Sequence, residues 1–245
     1  MAWPAPQHPN SDMIDDTNGA NLPDTELLRE RLDLGAEQYR RQQGRQLDQY
    51  RPYPKQLAFH TAGACNRERL FMAGNRCGKT LSGAAEMAMH LTGQYPPWWN
   101  GKRFARPIRA WASGITKEST RDVVQNRLIG PPQRSADWGT GLIPLAALGD
   151  ISMASGVADA IDTVSVAHVS GAWSSLQFKS YERGREKWQG PALEVVWFDE
   201  EPPGEIYLEG LTRTNETGGI VYLTFTPLNG MSTVVDAFLK DCGSA

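Results

Sequence analysis

The sequence predicts an α/β fold with a mostly parallel sheet, preceded by a helical extension. Three observations lead to this prediction. Short apolar segments alternate with helical patterns from about Tyr50 onward. A glycine-rich, phosphate-binding pattern joins the first of these strands to the first of these helices. A later strand, residues 193–199, has an apolar run of the kind that is buried on both faces and ends in carboxylates.

The elements follow in order along the 245 residues. Residues 1–21 are rich in Pro, Asn and Asp, so we expect them to be disordered. Residues 22–50 are expected to form a helical extension with a leucine stripe, and residues 51–245 one α/β domain. The predicted strands span residues 69–73, 108–113, 163–169, 174–180, 193–199 and 220–226, and the predicted helices residues 79–91, 119–128, 205–214 and 232–239. A Gly-, Pro- and Ala-rich stretch, 130–156, predicts a long excursion or lid.

Composition and charge exclude several classes of protein. A net charge of −3 excludes a histone-like basic protein, so any nucleic acid must be bound by local positive charge. No run approaches about 18 apolar residues, so no membrane span is expected. Three widely spaced cysteines favour a reducing cytoplasm over a disulfide framework. Two basic clusters suit either DNA phosphates or a solvated face: Arg103, Arg106 and Arg109, and Arg183, Arg185 and Lys187.

The strongest motif is the segment from Ala73 to Thr80. Backbone N–H groups of such a loop surround a β-phosphate, a lysine reaches the β/γ oxygens, and a hydroxyl completes a Mg²⁺ shell. Ala73 stands where the common pattern has glycine, and Gly74 is expected to serve in part. The predicted nucleotide-binding residues of the loop are Gly74, Asn75, Arg76, Cys77, Gly78, Lys79 and Thr80, of which Thr80 also serves the metal.

Arg76 is unusual inside such a loop. It either reaches the γ-phosphate and stabilises developing charge, or pairs with a neighbouring carboxylate and shapes the loop. Cys77 is interpreted as a small residue where a larger one would block the phosphate.

The acidic strand end predicts the rest of the chemistry. The carboxyl ends of parallel strands meet at one edge of the sheet, so Asp199 is expected beside the loop, where it holds Mg²⁺. Glu200 is expected to polarise the attacking water, with Glu201 as the runner-up base. The pair Asp199 and Glu200 favours hydrolysis of ATP by water over phosphoryl transfer to a small substrate.

Four stretches together resemble the large terminase subunit of tailed bacteriophages, over about residues 50–240. Residues 53–56 are similar to its adenine-binding motif, with Gln56 reading the adenine edge, and residues 73–80 resemble its Arg-containing phosphate loop. Residues 180–203 resemble the stretch through its Walker B strand. Residues 224–227 resemble its coupling motif, in which Thr226 senses the γ-phosphate.

The resemblance implies a RecA-like, additional-strand catalytic-glutamate (ASCE) P-loop NTPase, a three-layer sandwich. It implies a Mg²⁺-dependent ATPase that moves double-stranded DNA into a procapsid. It also implies a homo-oligomeric ring that assembles on the portal, a small terminase subunit as partner, and a location in the host cytoplasm. The family's nuclease domain is not expected in this chain, because only residues 228–245 follow the coupling motif.

Two alternative functions stay open, a helicase-like translocase and an ATP-gated ring-assembly module with little hydrolysis of its own. A third, a small-substrate kinase, is disfavoured by Glu200. A ring also predicts an arginine acting on the neighbouring subunit's nucleotide. Arg121 is favoured over Arg127 for this role because it lies in the first turn of its helix, and ordinary surface roles for both are the alternative.

Overall fold

The computed structural model describes residues 22–43, 46–227, 230 and 232–241. The chain divides into two compact units, the first ending at Gln38 and the second beginning at Tyr39. Helix α1 runs from Leu22 to Gln43, within the stretch predicted to be helical. The expected disorder of residues 1–21 lies outside the described residues. Among those described, no helix is long and apolar enough to cross a bilayer.

Seven strands form one mixed sheet in the order β1-β7-β6-β2-β5-β4-β3. The pairs β1–β7, β7–β6, β6–β2 and β2–β5 are parallel, whereas β5–β4 and β4–β3 are antiparallel. The strands are β1 (Glu68–Met72), β2 (Arg109–Gly114), β3 (Leu148–Met153), β4 (Ile161–Ala167), β5 (Trp173–Ser180), β6 (Val195–Asp199) and β7 (Ile220–Phe225).

Helices cover both faces of the sheet. The remaining helices are α2 (Gln46–Gln49), α3 (Pro54–Ala62), α4 (Lys79–Thr92), α5 (Lys117–Ser119), α6 (Asn126–Ile129), α7 (Gly204–Asn215) and α8 (Thr233–Asp241). A π-helical turn, Thr120–Gln125, joins α5 to α6, so the helix predicted over residues 119–128 is irregular in its middle.

The architecture confirms the predicted α/β fold and corrects one stretch. Residues 130–156 are not only an excursion, because they contain β3, which adds an antiparallel edge to the sheet. The strand predicted over residues 163–169 is β4, two residues earlier and antiparallel.

Alternate residues of β6 build a core on each side of the sheet, which gives three layers. Val195 and Trp197 join the cluster that includes α4, while Val196 and Phe198 join the cluster that includes α7 and α8. Every residue of β6 and β7 is buried, as central strands with helices on both faces should be.

Glu86, in the middle of α4, is a buried carboxylate that joins three elements. It pairs with Arg69 of β1, with Nδ1 of His60 of α3 at 2.7 Å, and with Nε2 of His90 at 3.3 Å. Burial raises the pKa of Glu86, but the Arg69 guanidinium and the hydrogen bonds to His60 and His90 lower it further, and the net pKa lies well below its usual value.

We predict that Glu86→Gln lowers the free energy of unfolding by about 3 kcal/mol at pH 7, because the Arg69 guanidinium is left buried without its charge partner. The pKa of Glu86 is depressed in the folded protein. Its stabilisation is therefore present above the ordinary pKa of 4.5 and is lost as the pH falls through the native pKa. The measurement is urea unfolding of both proteins from pH 7 to pH 3.

Glu216→Gln, at an exposed glutamate, is the control and should change stability by less than about 0.5 kcal/mol. The difference between wild type and Glu86→Gln should shrink below pH 4.5. A difference that is constant across the pH range would show that Glu86 is not the charged partner of Arg69.

Candidate nucleotide-binding site

The phosphate loop connects β1 to α4 at the carboxyl edge of the sheet. Strand β1 ends at Met72 and α4 begins at Lys79. Two loop residues have left-handed backbones, Arg76 with φ 61° and Gly78 with φ 76°. The Lys79 side chain is buried, and its Nζ donates to the carbonyl of Gly74 across the loop at 2.8 Å. The lysine side chain therefore spans the loop from its last residues back to Gly74.

Gln56 lies against this loop. Sequence reasoning did not assign a helix here, yet Pro54 begins α3 and the backbone N–H of Tyr53 donates to Oε1 of Gln56 at 2.8 Å. Nε2 of Gln56 donates to the carbonyl of Gly78 at 3.2 Å, and the side chain is 2% exposed. Gln56 thus ties α3 to the last residue of the loop before α4.

Asp199, the last residue of β6, lies beside Thr80 and is buried. The hydroxyl of Thr80 lies 3.0 and 3.2 Å from its two carboxylate oxygens, and the hydroxyl of Thr224 donates to Oδ1 at 2.7 Å. Trp197 donates its indole N–H to the Thr224 hydroxyl at 2.7 Å, which orients that hydroxyl toward Asp199.

These oxygens fit a magnesium ion. Burial raises the pKa of Asp199 to about 7, against the hydrogen bonds from Thr224 and Thr80, so the ionised carboxylate lacks a full positive partner. A hydroxyl and a carboxylate are hard oxygen ligands. The described residues contain no group of three or more His, Cys, Asp or Glu that would hold a metal.

Glu200 follows Asp199 with a left-handed backbone, φ 68°. Its N–H donates to the carbonyl of Thr224 at 3.0 Å. Its side chain is half-buried, and burial raises its pKa while the charge of Lys79 lowers it. The charge of Lys79 therefore acts on the Glu200 carboxylate. A pKa raised above the ordinary value suits a general base. In Glu201, Oε2 is shielded from solvent and has no hydrogen-bond partner within the part of the chain that the structure describes.

Thr226, just after β7, reaches the loop from the other side. Its hydroxyl lies 3.1 Å from the carbonyl of Ala73 and 3.0 Å from Oδ1 of Asn75. The segment just after β7 is therefore in direct contact with the phosphate loop.

The three candidate arginines, Arg76, Arg121 and Arg127, differ in their exposure and in their contacts. Arg76 is exposed on the loop, and within the described residues no carboxylate lies at salt-bridge distance from it. Arg121 lies on the π-helical turn, where its Nε is 2.8 Å from Oδ1 of Asp122 and its Nη1 donates to the carbonyl of Ala158 at 2.9 Å. Arg127 is exposed. Arg121 is thus engaged within its own chain.

Sequence reasoning did not identify Thr224 and Tyr181 as parts of this site. Thr224 pairs with Asp199 in the register of β6 and β7, and the Tyr181 hydroxyl contacts the Asp199 and Glu200 carbonyls. The sequence did contain a signal for Thr224, because it lies in the segment 224–227 that resembles the coupling motif. Its contact with Asp199 could not be predicted without the register of β6 and β7.

A phosphate loop between a parallel strand and a helix, with a buried Asp at the end of a nearby parallel strand and a half-buried Glu directly after it, defines a P-loop NTPase domain. The comparisons with known proteins identify which one. The sequence profile described as "Terminase large subunit, T4likevirus-type, N-terminal" matches residues 70–244. The chain belongs to the terminase large subunit family and corresponds to its N-terminal domain.

Individual relatives agree with this family. The large terminase subunit of Salmonella phage P22 is 41% identical over 238 residues, which cover 90% of this chain and 48% of that protein. The large terminase subunit of Enterobacteria phage LP7 is 44% identical over 68 residues, 28% of this chain and 14% of that one. The chain thus spans less than half the length of these curated relatives.

A solved structure shares the fold. The HK97 bacteriophage large terminase matches with a TM-score of 0.50 and 13% identity, over 79% of this chain and 37% of that chain. At this identity the likeness concerns the fold alone.

We predict that Gly78→Ala weakens nucleotide binding at least about tenfold, because a Cβ at this residue meets two obstacles. The backbone is left-handed, and the added atom lies 2.6 Å from Nε2 of Gln56. The strain costs about 1 kcal/mol, and the clash displaces either Gln56 or the loop. Calorimetric titration with ATP measures the affinity.

Gly171→Ala is the matched control. Its φ is 88° and a Cβ there meets nothing within 4 Å, so it carries the strain without the clash. It should lose stability and keep nucleotide affinity. If Gly78→Ala binds nucleotide like Gly171→Ala, the contact between Gln56 and the loop is irrelevant to binding.

Proposed function

We propose that this domain is a Mg²⁺-dependent ATPase that drives double-stranded DNA into a procapsid. The observation that carries the proposal is the convergence of Lys79, Thr80, Asp199 and Glu200 at one edge of the sheet. This arrangement provides charge for a triphosphate, ligands for a cation and a base for water. Membership of the terminase large subunit family supports DNA as the cargo.

The residues divide the chemistry among them. In this proposal the loop N–H groups and Lys79 bind the phosphates, and Gln56 reads the adenine edge. Thr80 and Asp199 would hold Mg²⁺, which when bound neutralises charge on the β- and γ-phosphates. Thr226 contacts the loop beside the γ-phosphate position.

Glu200 accepts a proton from water as the water oxygen bonds to the γ-phosphorus. The bond from that phosphorus to the β–γ bridging oxygen breaks, and ADP and phosphate leave. Glu200 is favoured over Glu201 as this base because it directly follows Asp199 at the end of β6 and its backbone is held by Thr224 of β7. In this proposal Arg76, which is exposed on the loop, contacts the γ-phosphate and stabilises the developing charge.

The wider assembly belongs to the same proposal. A homo-oligomeric ring on the portal, a small terminase subunit and action on the procapsid in the host cytoplasm all rest on the family of the chain. The nearby basic residues Arg183, Arg185 and Lys187 are exposed, which suits contact with DNA phosphates, although Arg185 also pairs with Glu209 at 2.8 Å.

We predict that Glu200→Gln binds ATP normally and hydrolyses it about 10²- to 10⁴-fold more slowly, the usual contribution of a general base. Glutamine keeps the shape of the side chain and cannot accept the proton. Steady-state ATPase rates, with and without DNA, and calorimetric affinities are the measurements.

Glu201→Gln is the matched control and should hydrolyse ATP within about threefold of wild type. The reverse pattern, with Glu201→Gln inactive and Glu200→Gln active, would identify Glu201 as the base. Wild-type protein that binds ATP and never hydrolyses it, with or without DNA, would instead favour an ATP-gated assembly module.

We also propose that Arg121 acts on the neighbouring subunit's nucleotide, once its contact with Asp122 is exchanged for phosphate. Arg121→Ala and Glu200→Gln should each be inactive, and a mixture of the two should regain activity. One subunit then supplies the arginine and the next supplies the base. A trans arginine is worth about 10³-fold in rate or more.

Arg127→Ala is the control and should stay active, because only one of the two residues faces the neighbour. A mixture shown by sedimentation to assemble, yet without activity, would exclude the trans role. Full activity of Arg121→Ala alone would remove Arg121 from the mechanism.

A further inference from the structure

Two successive backbone carbonyls converge on one buried hydroxyl. The oxygen of Tyr181 lies 2.9 Å from the carbonyl of Asp199 and 2.9 Å from that of Glu200. In an extended strand, successive carbonyls point in opposite directions, so a single donor does not reach both. Here both carbonyl oxygens lie within reach of one hydroxyl, and Glu200 leaves the extended conformation, with φ 68°.

The hydroxyl is rigidly held. Tyr181 follows β5 and reaches the end of β6 past β2, which lies between them. Its ring packs against Trp188 and Phe198, with centroids 6.0 and 6.2 Å away, and the residue is 6% exposed. A tyrosine hydroxyl keeps its proton at neutral pH, so it remains a donor.

The left-handed conformation of Glu200 needs such support. A left-handed backbone is unfavourable for a residue with a Cβ, so this conformation persists only where surrounding contacts enforce it. The N–H of Glu200 donates to the carbonyl of Thr224, and the single proton of the Tyr181 hydroxyl is shared between the carbonyls of Asp199 and Glu200. Without the hydroxyl, the peptide is free to return to the extended conformation and carry the carboxylate away.

We propose that Tyr181 is a positioning residue for hydrolysis: its hydroxyl holds the Glu200 backbone in the left-handed conformation that presents the carboxylate to the phosphate loop. This inference rests on the proposed function, because it takes Glu200 as the base. Among the described residues, no hydrogen bond joins Tyr181 to Lys79 or to Thr80. We therefore expect Tyr181 to affect the chemical step and not nucleotide binding.

The test compares two buried tyrosines of equal exposure. Tyr181→Phe removes the hydroxyl in question. Tyr207→Phe is the control: it is also 6% exposed, and its hydroxyl bonds Glu68 at the opposite edge of the sheet. Tyr181→Phe should lower kcat by about ten- to 10²-fold, the effect of a misplaced catalytic group, while the nucleotide Kd stays unchanged. Tyr207→Phe should keep wild-type kcat.

A second background separates positioning from general structural damage. In Glu200→Gln the base is gone, so adding Tyr181→Phe should change the residual rate by no more than about twofold. An equal loss in both backgrounds, or a wild-type kcat for Tyr181→Phe, would overturn the proposal.

A readout independent of turnover distinguishes this inference from the proposed function. The backbone amide of Glu200 should exchange with solvent about tenfold faster in Tyr181→Phe than in wild type or Tyr207→Phe. If wild-type protein lacks ATPase activity, the proposed function fails and this exchange rate still decides the role of Tyr181. An unchanged rate would refute it.

A rescue covers the case in which Tyr181→Phe folds poorly. Glycine adopts a φ of 68° without strain. Adding Glu200→Gly should therefore raise the melting temperature in every background, and by clearly more in Tyr181→Phe than in Tyr207→Phe or wild type. Failure of this selective rescue would also contradict the proposal.

Discussion

The candidate site depends on the buried carboxylate of Asp199 and the two hydroxyls beside it. Burying a carboxylate is costly unless donors satisfy it, and Thr80 and Thr224 do so from two different elements. Their hydrogen bonds join the start of α4 and the strand β7 to the end of β6. The phosphate loop, the acidic strand and the coupling segment therefore cannot move independently, and Trp197 holds Thr224 in the orientation that this requires.

A second buried polar cluster holds the same helix farther along. Glu86 joins α4 to β1 through Arg69 and to α3 through His60. Gln56, also on α3, contacts the carbonyl of Gly78 just before α4 begins. The helix that carries Lys79 and Thr80 is thus held at its N-terminus and at its middle. The segment that resembles an adenine-binding motif is fixed against the segment that binds phosphate.

The parts that sequence predicted well are those encoded locally. The phosphate loop, α4 and β6 were predicted close to their observed bounds, because a glycine-lysine-threonine pattern and an apolar run ending in acids are readable over a few residues. Strand β3 was missed because its short segment, 148–153, is recognisable only by its pairing with β4. Helix α3 was missed for a similar reason, since it is held by contacts with β1 and the loop.

The sequence by itself determined the fold class, the loop, the acidic strand end and the family resemblance, because each lies in contiguous residues whose chemistry is specific. Only the tertiary structure decided which distant side chains serve that chemistry. Thr224 is separated from Asp199 by 25 residues and Tyr181 from Glu200 by 19, and the register of β6 and β7 and the position of the β5 end bring them together. The tertiary structure also sets the left-handed backbone conformation of Glu200, because hydrogen bonds from other elements impose it against the residue's own preference.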